Sequence, residues 1–151
     1  MVEKTSASVD ETIELGRQLS TCLRPDDVVL LSGGLGAGKT QFSKGVAAGL
    51  GVSADVTSPT FNILIEYEGS SLMLYHFDLY RLEDAEELED IDFYGMLESG
   101  GVSLVEWGDK FPDAMPDEYL DVRIAVDGDG VRHLTATGRG DAGQRLEEAF
   151  A

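Results

Sequence analysis

Basic side chains are scarce in this sequence: Lys and Arg together number 11 against 29 Asp and Glu, for a formal net charge of −18. A surface of that sign opposes direct gripping of an RNA or DNA backbone, which needs clustered cations, so any nucleic acid is expected to be held through a partner. Acidity also keeps a protein soluble or suits it to a salty cytoplasm, and charge alone does not separate these readings. Cysteine is nearly missing. With Cys22 alone, no intrachain disulfide and no multi-cysteine metal site can form, and a buried helical thiol is the expected role. Long apolar runs are absent as well: no stretch of about 18 such residues occurs. The opening MVEKTSASVDETIEL has neither the apolar core nor the cleavage signature of a signal peptide, so a soluble, cytoplasmic protein is expected. His76 and His133 each lack a second histidine or a cysteine nearby, which argues against zinc, and His76 is read as structural.

What remains is the material of one ordinary domain. At 151 residues and 42% hydrophobic content, with no repeat and no low-complexity segment, the chain can bury a real core over about residues 9–137, with less certain ends. In SVDETIELGRQLSTCL the apolar residues Ile13, Leu15, Leu19 and Leu23 recur at spacings near three to four, and Ser8 and Glu11 have the spacing of a capping box. That is a first helix. DDVVLLSGG is a short apolar run suited to a strand buried on both faces, and KTQFSKGVAAGLG is a helix with a glycine exit at Gly51. TFNILIEYEGSSLMLYHFDLYRL reads as an antiparallel hairpin turning near Gly69 and Ser70. EDAEELEDIDFYGMLESG gives one broken or two short helices, and its acids are most simply a solvated face, with a docking surface for a basic partner as the minority reading. GVSLVEWGDK supplies a further strand. YLDVRIAV, DGDG and VRHLTATG form a closing hairpin whose turn lacks the remaining ligands of a calcium loop, and a short helix through Leu146 and Phe150 ends the chain.

The chemistry concentrates in LLSGGLGAGKTQF, where Gly33 to Thr40 read G-x-x-x-x-G-K-T between a strand and a helix. Gly33, Gly34, Gly36 and Gly38, interleaved with Leu35 and Ala37, let the backbone bend so that successive N–H groups point inward at phosphate oxygens. The helix beginning there favours an anion, Lys39 would reach the β- and γ-phosphates, and the Thr40 hydroxyl would ligate Mg²⁺. Phosphoryl transfer further needs a metal-holding carboxylate and a group that orients the nucleophile. Asp78 and Glu106 end two strands and sit where an α/β sheet places its ligand. Asp78 is assigned to the metal, with a capping acid or an ion pair to Arg81 as the alternative. Glu106 is assigned to the attacking water, with a structural acid as its alternative. Thr60, behind Pro59, could respond to a γ-phosphate as a switch, although its spacing alone describes an ordinary turn threonine. Trp107 could pack on a nucleotide, but a core-packing indole is the more frequent case.

Taken in order, LSGGLGAGKT, TSPTFNILIEY, HFDLYRL, EEL and VEWGDK resemble the bacterial TsaE (YjeE) family of tRNA threonylcarbamoyladenosine biosynthesis ATPases, over about Val9 to Thr137. The resemblance implies a compact P-loop NTPase-like fold in three layers, with a mixed, largely parallel central sheet and antiparallel hairpins. It implies a weak ATPase that works with a TsaB–TsaD heterodimer to place threonylcarbamoyl on the adenosine after the anticodon of ANN-reading tRNAs. It places ATP or ADP on Gly33 through Thr40 and on Gln41, with Thr12 near the base and Trp107 at the catalytic edge beside Glu106. It puts Mg²⁺ at Thr40 and Asp78, with Thr60 and Glu106 as further metal candidates. Three positions depart from the family: Gly34 stands where Asp is common, Gln41 where a second Thr usually follows, and Gly108 where Pro often does. Two rivals share the loop. A small-molecule kinase would want mobile cations over the phosphates, and the seven arginines form no evident lid. A nucleotide-gated binding module would use the same residues with little hydrolysis.

Overall fold

The computed structural model describes residues 1–151. Its elements run β1 (Val2–Ser6), α1 (Val9–Ser20), β2 (Val28–Gly33), α2 (Lys39–Gly49), β3 (Leu64–Glu68), β4 (Met73–Asp78), α3 (Glu87–Asp90), α4 (Phe93–Leu97), β5 (Val102–Glu106), β6 (Tyr119–Val126), β7 (Arg132–Arg139) and α5 (Gly140–Phe150). All seven strands join one sheet in the order β1-β7-β6-β2-β5-β4-β3. The four central strands, β6-β2-β5-β4, are parallel to one another, and the pairings outside them are antiparallel. The sheet is therefore mixed as expected, with its parallel part confined to the strands that carry the site.

Strand alternation builds two cores from one sheet. On β2, Val29 and Leu31 enter a cluster with Leu15, Leu19, Phe42 and Leu146 of α1, α2 and α5, whereas Val28 joins Phe77, Leu88, Phe93 and Val105 on the other side. This two-sided burial is why the central strands read as continuous apolar runs. Full burial of each such Leu or Phe is worth about 1.5–3 kcal/mol, so the layering is set by side-chain period rather than by any single contact.

Half of the capping box forms as expected, the Ser8 hydroxyl accepting from the Glu11 N–H at 3.1 Å, while the Glu11 carboxylate accepts from the N–H of Ala7, one residue before the cap. Helices α1 and α2 then meet backbone to backbone. A Cβ at Gly16 would run into the Phe42 carbonyl, and one at Gly45 into the Ile13 carbonyl. That contact fixes where α2, and hence the loop before it, stands over the sheet.

Three local expectations are revised. β1 is an additional edge strand, paired with β7, in a segment too short and polar to show a clear period. The hairpin strand begins only at Leu64, because Pro59 and Thr60 open a turn in which the Asn62 and Ile63 N–H groups both donate to the Pro59 carbonyl. Cys22 lies just past the end of α1 and is half-buried rather than inside the helix core. No helix is long and apolar enough to cross a membrane.

Candidate functional site

The loop of residues 33–38 leaves the carboxyl end of β2 and enters α2 at Lys39. Gly38 caps that helix at φ +108° and Gly36 sits at φ +78°, a region that side chains rarely adopt, so both glycines are needed by conformation. Gly33 is needed by space: a Cβ there would lie 2.6 Å from the Ile124 carbonyl oxygen of β6. Gly34 meets neither condition, since nothing lies within 4 Å of its Cβ position, and a side chain such as the family's Asp has room there. Leu35 projects fully into solvent at the loop tip, Ala37 is buried, and Gln41 is half-buried in the first turn of α2 beside Thr40.

Register brings the acids to the loop. Asp78 and Glu106 are direct neighbours at the ends of β4 and β5, and Glu106 is paired in turn with Leu31 of β2. Period-two alternation turns Leu74, His76 and Asp78 of β4, and Val102, Leu104 and Glu106 of β5, to the α2 face. There the Glu106 Oε1 lies 3.5 Å from the Lys39 ammonium, and its Oε2 lies 2.7 Å from His76 Nε2. The Lys39 ammonium also stands 5.7 Å from the centre of the Trp107 ring. Trp107 is held at φ +62°, a strained conformation for a bulky residue, and packs against Tyr80 at 4.8 Å between centroids with the ring planes tilted by 49°. It is therefore a rim residue, 40% exposed, and not a core-packing tryptophan.

Asp78 is buried at 2% exposure and accepts twice, from the Thr60 hydroxyl at 2.8 Å and from the Tyr80 N–H at 3.0 Å. The alternative ion pair is not formed. Arg81 instead donates to the Phe61 carbonyl and lies over the Phe61 ring. Thr60 shares its hydroxyl with Ser58 at 2.9 Å, so the turn behind Pro59 is tied to the acid by one side chain. Thr12 is buried against the loop, its methyl 3.5 Å from a Cβ placed on Gly38, and its hydroxyl bonds Ser6 and the Ser8 carbonyl.

The donor set suits Mg²⁺ better than a cage metal. No three His, Cys, Asp or Glu side chains converge, and the chain supplies one hydroxyl, Thr40 in the first turn of α2, and one buried carboxylate at the end of β4, Asp78. Mg²⁺ is usually held in this way, by one or two protein groups with phosphates and water supplying the rest. A separate cleft lies elsewhere, where Asp26, Asp27, Glu98, Asp113, Asp117 and Glu118 stand among apolar residues such as Val28 and Leu97. Such a lining repels a polyphosphate, whereas the open loop presents N–H groups and a lysine.

Two contributors escaped the sequence reading. Arg132, from the start of β7, donates from Nε to the Ala37 carbonyl at 3.0 Å and from Nη2 to the Gly36 carbonyl at 3.4 Å, holding the loop's outward oxygens. Nothing in its local pattern marks it. His76, read as structural, is bonded to Glu106, and its position two residues before Asp78 on a strand was the available signal.

A strand, a glycine loop closing on Lys39 and Thr40, a helix, and acids at the ends of the neighbouring parallel strands define a P-loop fold. A crystal structure of YdiB from Bacillus subtilis has that architecture, superposing with a TM-score of 0.83 at 34% identity over 99% of this chain and 93% of the other. The chain belongs to the TsaE family: residues 6–134 match the family of the threonylcarbamoyl adenosine biosynthesis protein TsaE. Among similar proteins, the tRNA threonylcarbamoyladenosine biosynthesis protein TsaE of Bacillus subtilis is 42% identical over 142 residues, covering 94% of this chain and 89% of that one. The protein of the same name from Streptomyces coelicolor is 45% identical over 135 residues, covering 85% and 90% respectively.

Proposed function

We propose that this chain is a Mg²⁺-dependent ATP-binding and ATP-hydrolysing subunit of the bacterial assembly that makes N6-threonylcarbamoyladenosine in ANN-reading tRNAs. In that role it supports turnover of a TsaB–TsaD threonylcarbamoyl transferase in the cytoplasm. The observation that carries the reading is the meeting of Lys39 and Glu106 at the mouth of the glycine loop. A lysine placed for β- and γ-phosphates touches the carboxylate placed for water.

The chemistry follows from these side chains. Phosphate oxygens enter among the N–H groups of residues 33–40 at the positive end of α2. Lys39 exchanges Glu106 for the β- and γ-phosphates, which leaves Glu106 Oε1 to accept a proton from water. The water oxygen bonds to the γ-phosphorus as the bond to the β,γ-bridging oxygen breaks, giving ADP and inorganic phosphate, and the proton on Glu106 returns to solvent. Mg²⁺, held by Thr40 and Asp78 with Thr60 and Glu106 on the same rim, would neutralise charge on the phosphate oxygens. Trp107 shields the γ-phosphate side of the site and Thr12 backs the loop toward the base. With a net charge of −18, the chain leaves the tRNA to its partners.

The test is the rate of Mg-ATP hydrolysis by the purified protein, alone and with its cognate TsaB–TsaD heterodimer. Stimulation by the heterodimer is expected. One observation favours a second reading, a nucleotide-gated binding module: the Thr60 turn is already tied to Asp78, so the metal site and a surface loop move together. Tight nucleotide binding with no hydrolysis in either sample would establish that module instead.

A further inference from the structure

His76 is fully buried on β4, yet its ring makes a single polar contact, from Nε2 to Glu106 Oε2 at 2.7 Å, and its Nδ1 has no partner. An ionised carboxylate only accepts, so Nε2 carries the proton of this bond and Nδ1 is left without a partner. An orphaned buried nitrogen is a cost that an apolar side chain at this position would not carry. Of the neighbours on the same face, Leu74 on β4, Leu104 on β5 and Ile65 on β3 are apolar, and Asp78, two residues on, spends its oxygens on Thr60 and Tyr80 rather than on the ring. The imidazole is thus an expensive way to fill the space, and all of its hydrogen bonding is directed at one oxygen of Glu106.

The other oxygen of Glu106 faces the Lys39 ammonium at 3.5 Å. The two oxygens are therefore divided, Oε2 turned inward on His76 and Oε1 turned outward to the loop. A glutamate ending a strand has three side-chain torsions to fix, and Lys39 ceases to fix them once it turns to a phosphate. The bond to His76 is the one that does not involve the loop.

We propose that His76 is a positioning residue for Glu106: its Nε2–H fixes the carboxylate so that a single oxygen, Oε1, faces the attacking water in every turnover. The inference rests on the ATP-hydrolysing reading and assigns to that site the group which orients its base. A base held in place gains the orientation that free rotation would forfeit.

The experiment measures kcat for Mg-ATP hydrolysis, with the TsaB–TsaD heterodimer present, and nucleotide affinity separately by the emission of Trp107, the only tryptophan. His76→Leu is expected to lower kcat about 10- to 100-fold, the usual effect of losing an orienting partner, while affinity stays within about twofold. His76→Gln, whose amide nitrogen reaches the place of Nε2, restores most of the rate. His76→Asn, whose nitrogen reaches only the place of Nδ1, does not. A wild-type kcat in His76→Leu overturns the inference, as does a Gln variant no better than Asn; that second comparison decides alone if the Leu variant fails to fold. Absence of hydrolysis by the wild-type protein overturns the ATPase reading and this inference with it, whereas hydrolysis indifferent to residue 76 overturns this inference only.

Discussion

A histidine bonded to a carboxylate occurs twice in this molecule, in opposite surroundings. His76 meets Glu106 at 2.7 Å with side chains 1% and 7% exposed, and His133 meets Asp127 at 2.8 Å with side chains 51% and 38% exposed. The distances are nearly equal, so geometry does not distinguish the pairs. Solvent does. At the DGDG turn the Asp127 carboxylate also accepts from the Asp129 and Val131 N–H groups, and the pair folds a hairpin tip that water can satisfy equally well. At β4 and β5 water is excluded, and the pair has a third member, Lys39, which links it to the glycine loop. A hydrogen bond acquires a chemical role here from what stands behind it and in front of it, not from its length.

The largest effect should come from removing the member that the exposed pair lacks. Lys39→Ala is expected to abolish stable Mg-ATP binding by calorimetry, and unchanged affinity would remove the phosphate-cradle reading. Next comes the carboxylate. Glu106→Gln should lower turnover by about 10²- to 10⁴-fold, the range for a lost general base, with affinity retained, while Asp127→Asn leaves the rate at the wild-type value. Equal losses in the two variants would erase the contrast between the pairs. Asp78→Asn should move the Mg²⁺ titration of nucleotide binding to higher concentration; an unaltered titration would reduce Asp78 to its bonds with Thr60 and Tyr80.

The smallest effect is one of pH. The hydrogen bond from His133, followed by that from the Asp129 N–H, holds the Asp127 carboxyl below its ordinary value of 3.8. A lowered value means that the contribution to stability is fully present above pH 3.8 and is lost as the pH falls from there through the folded value. The difference in Tm between the wild type and Asp127→Asn should therefore narrow on acidification below that point, and a difference that widens would reverse the assignment. Glu147 follows the same sign, lowered first by the Gly138 N–H and then by its bond to the N-terminal ammonium.

Much of this arrangement is legible in the chain itself. The continuous apolar runs of β2 and β5, the glycine exit of α2 and the two hairpins follow from period and turn chemistry, and the strand ends at Asp78 and Glu106 follow with them. The missed parts have physical causes. VEKTS is an edge strand whose pairing is supplied by β7, far along the chain, so its own pattern is weak. Ile63, a β-branched residue at φ +66°, interrupts the expected strand because its N–H is held by the Pro59 carbonyl in the turn before it, even though its own carbonyl still accepts from the Asp78 N–H of the partner strand. Arg132 acts on carbonyls of the loop 95 residues earlier in sequence, and no local signal marks such a contact.

That last contact bears on how the protein is made. The glycine loop emerges early from the ribosome, but both strands flanking β2 are synthesised later, β5 first and then β6, and the guanidinium that grips the Ala37 and Gly36 carbonyls later still. At elongation rates of about 5–20 residues per second, the loop waits several seconds without its supports. The glycine loop is not held at its outward oxygens until β7 has been translated, so its shape is completed late in biogenesis, and a chain truncated before β7 would carry the complete motif without its clamp.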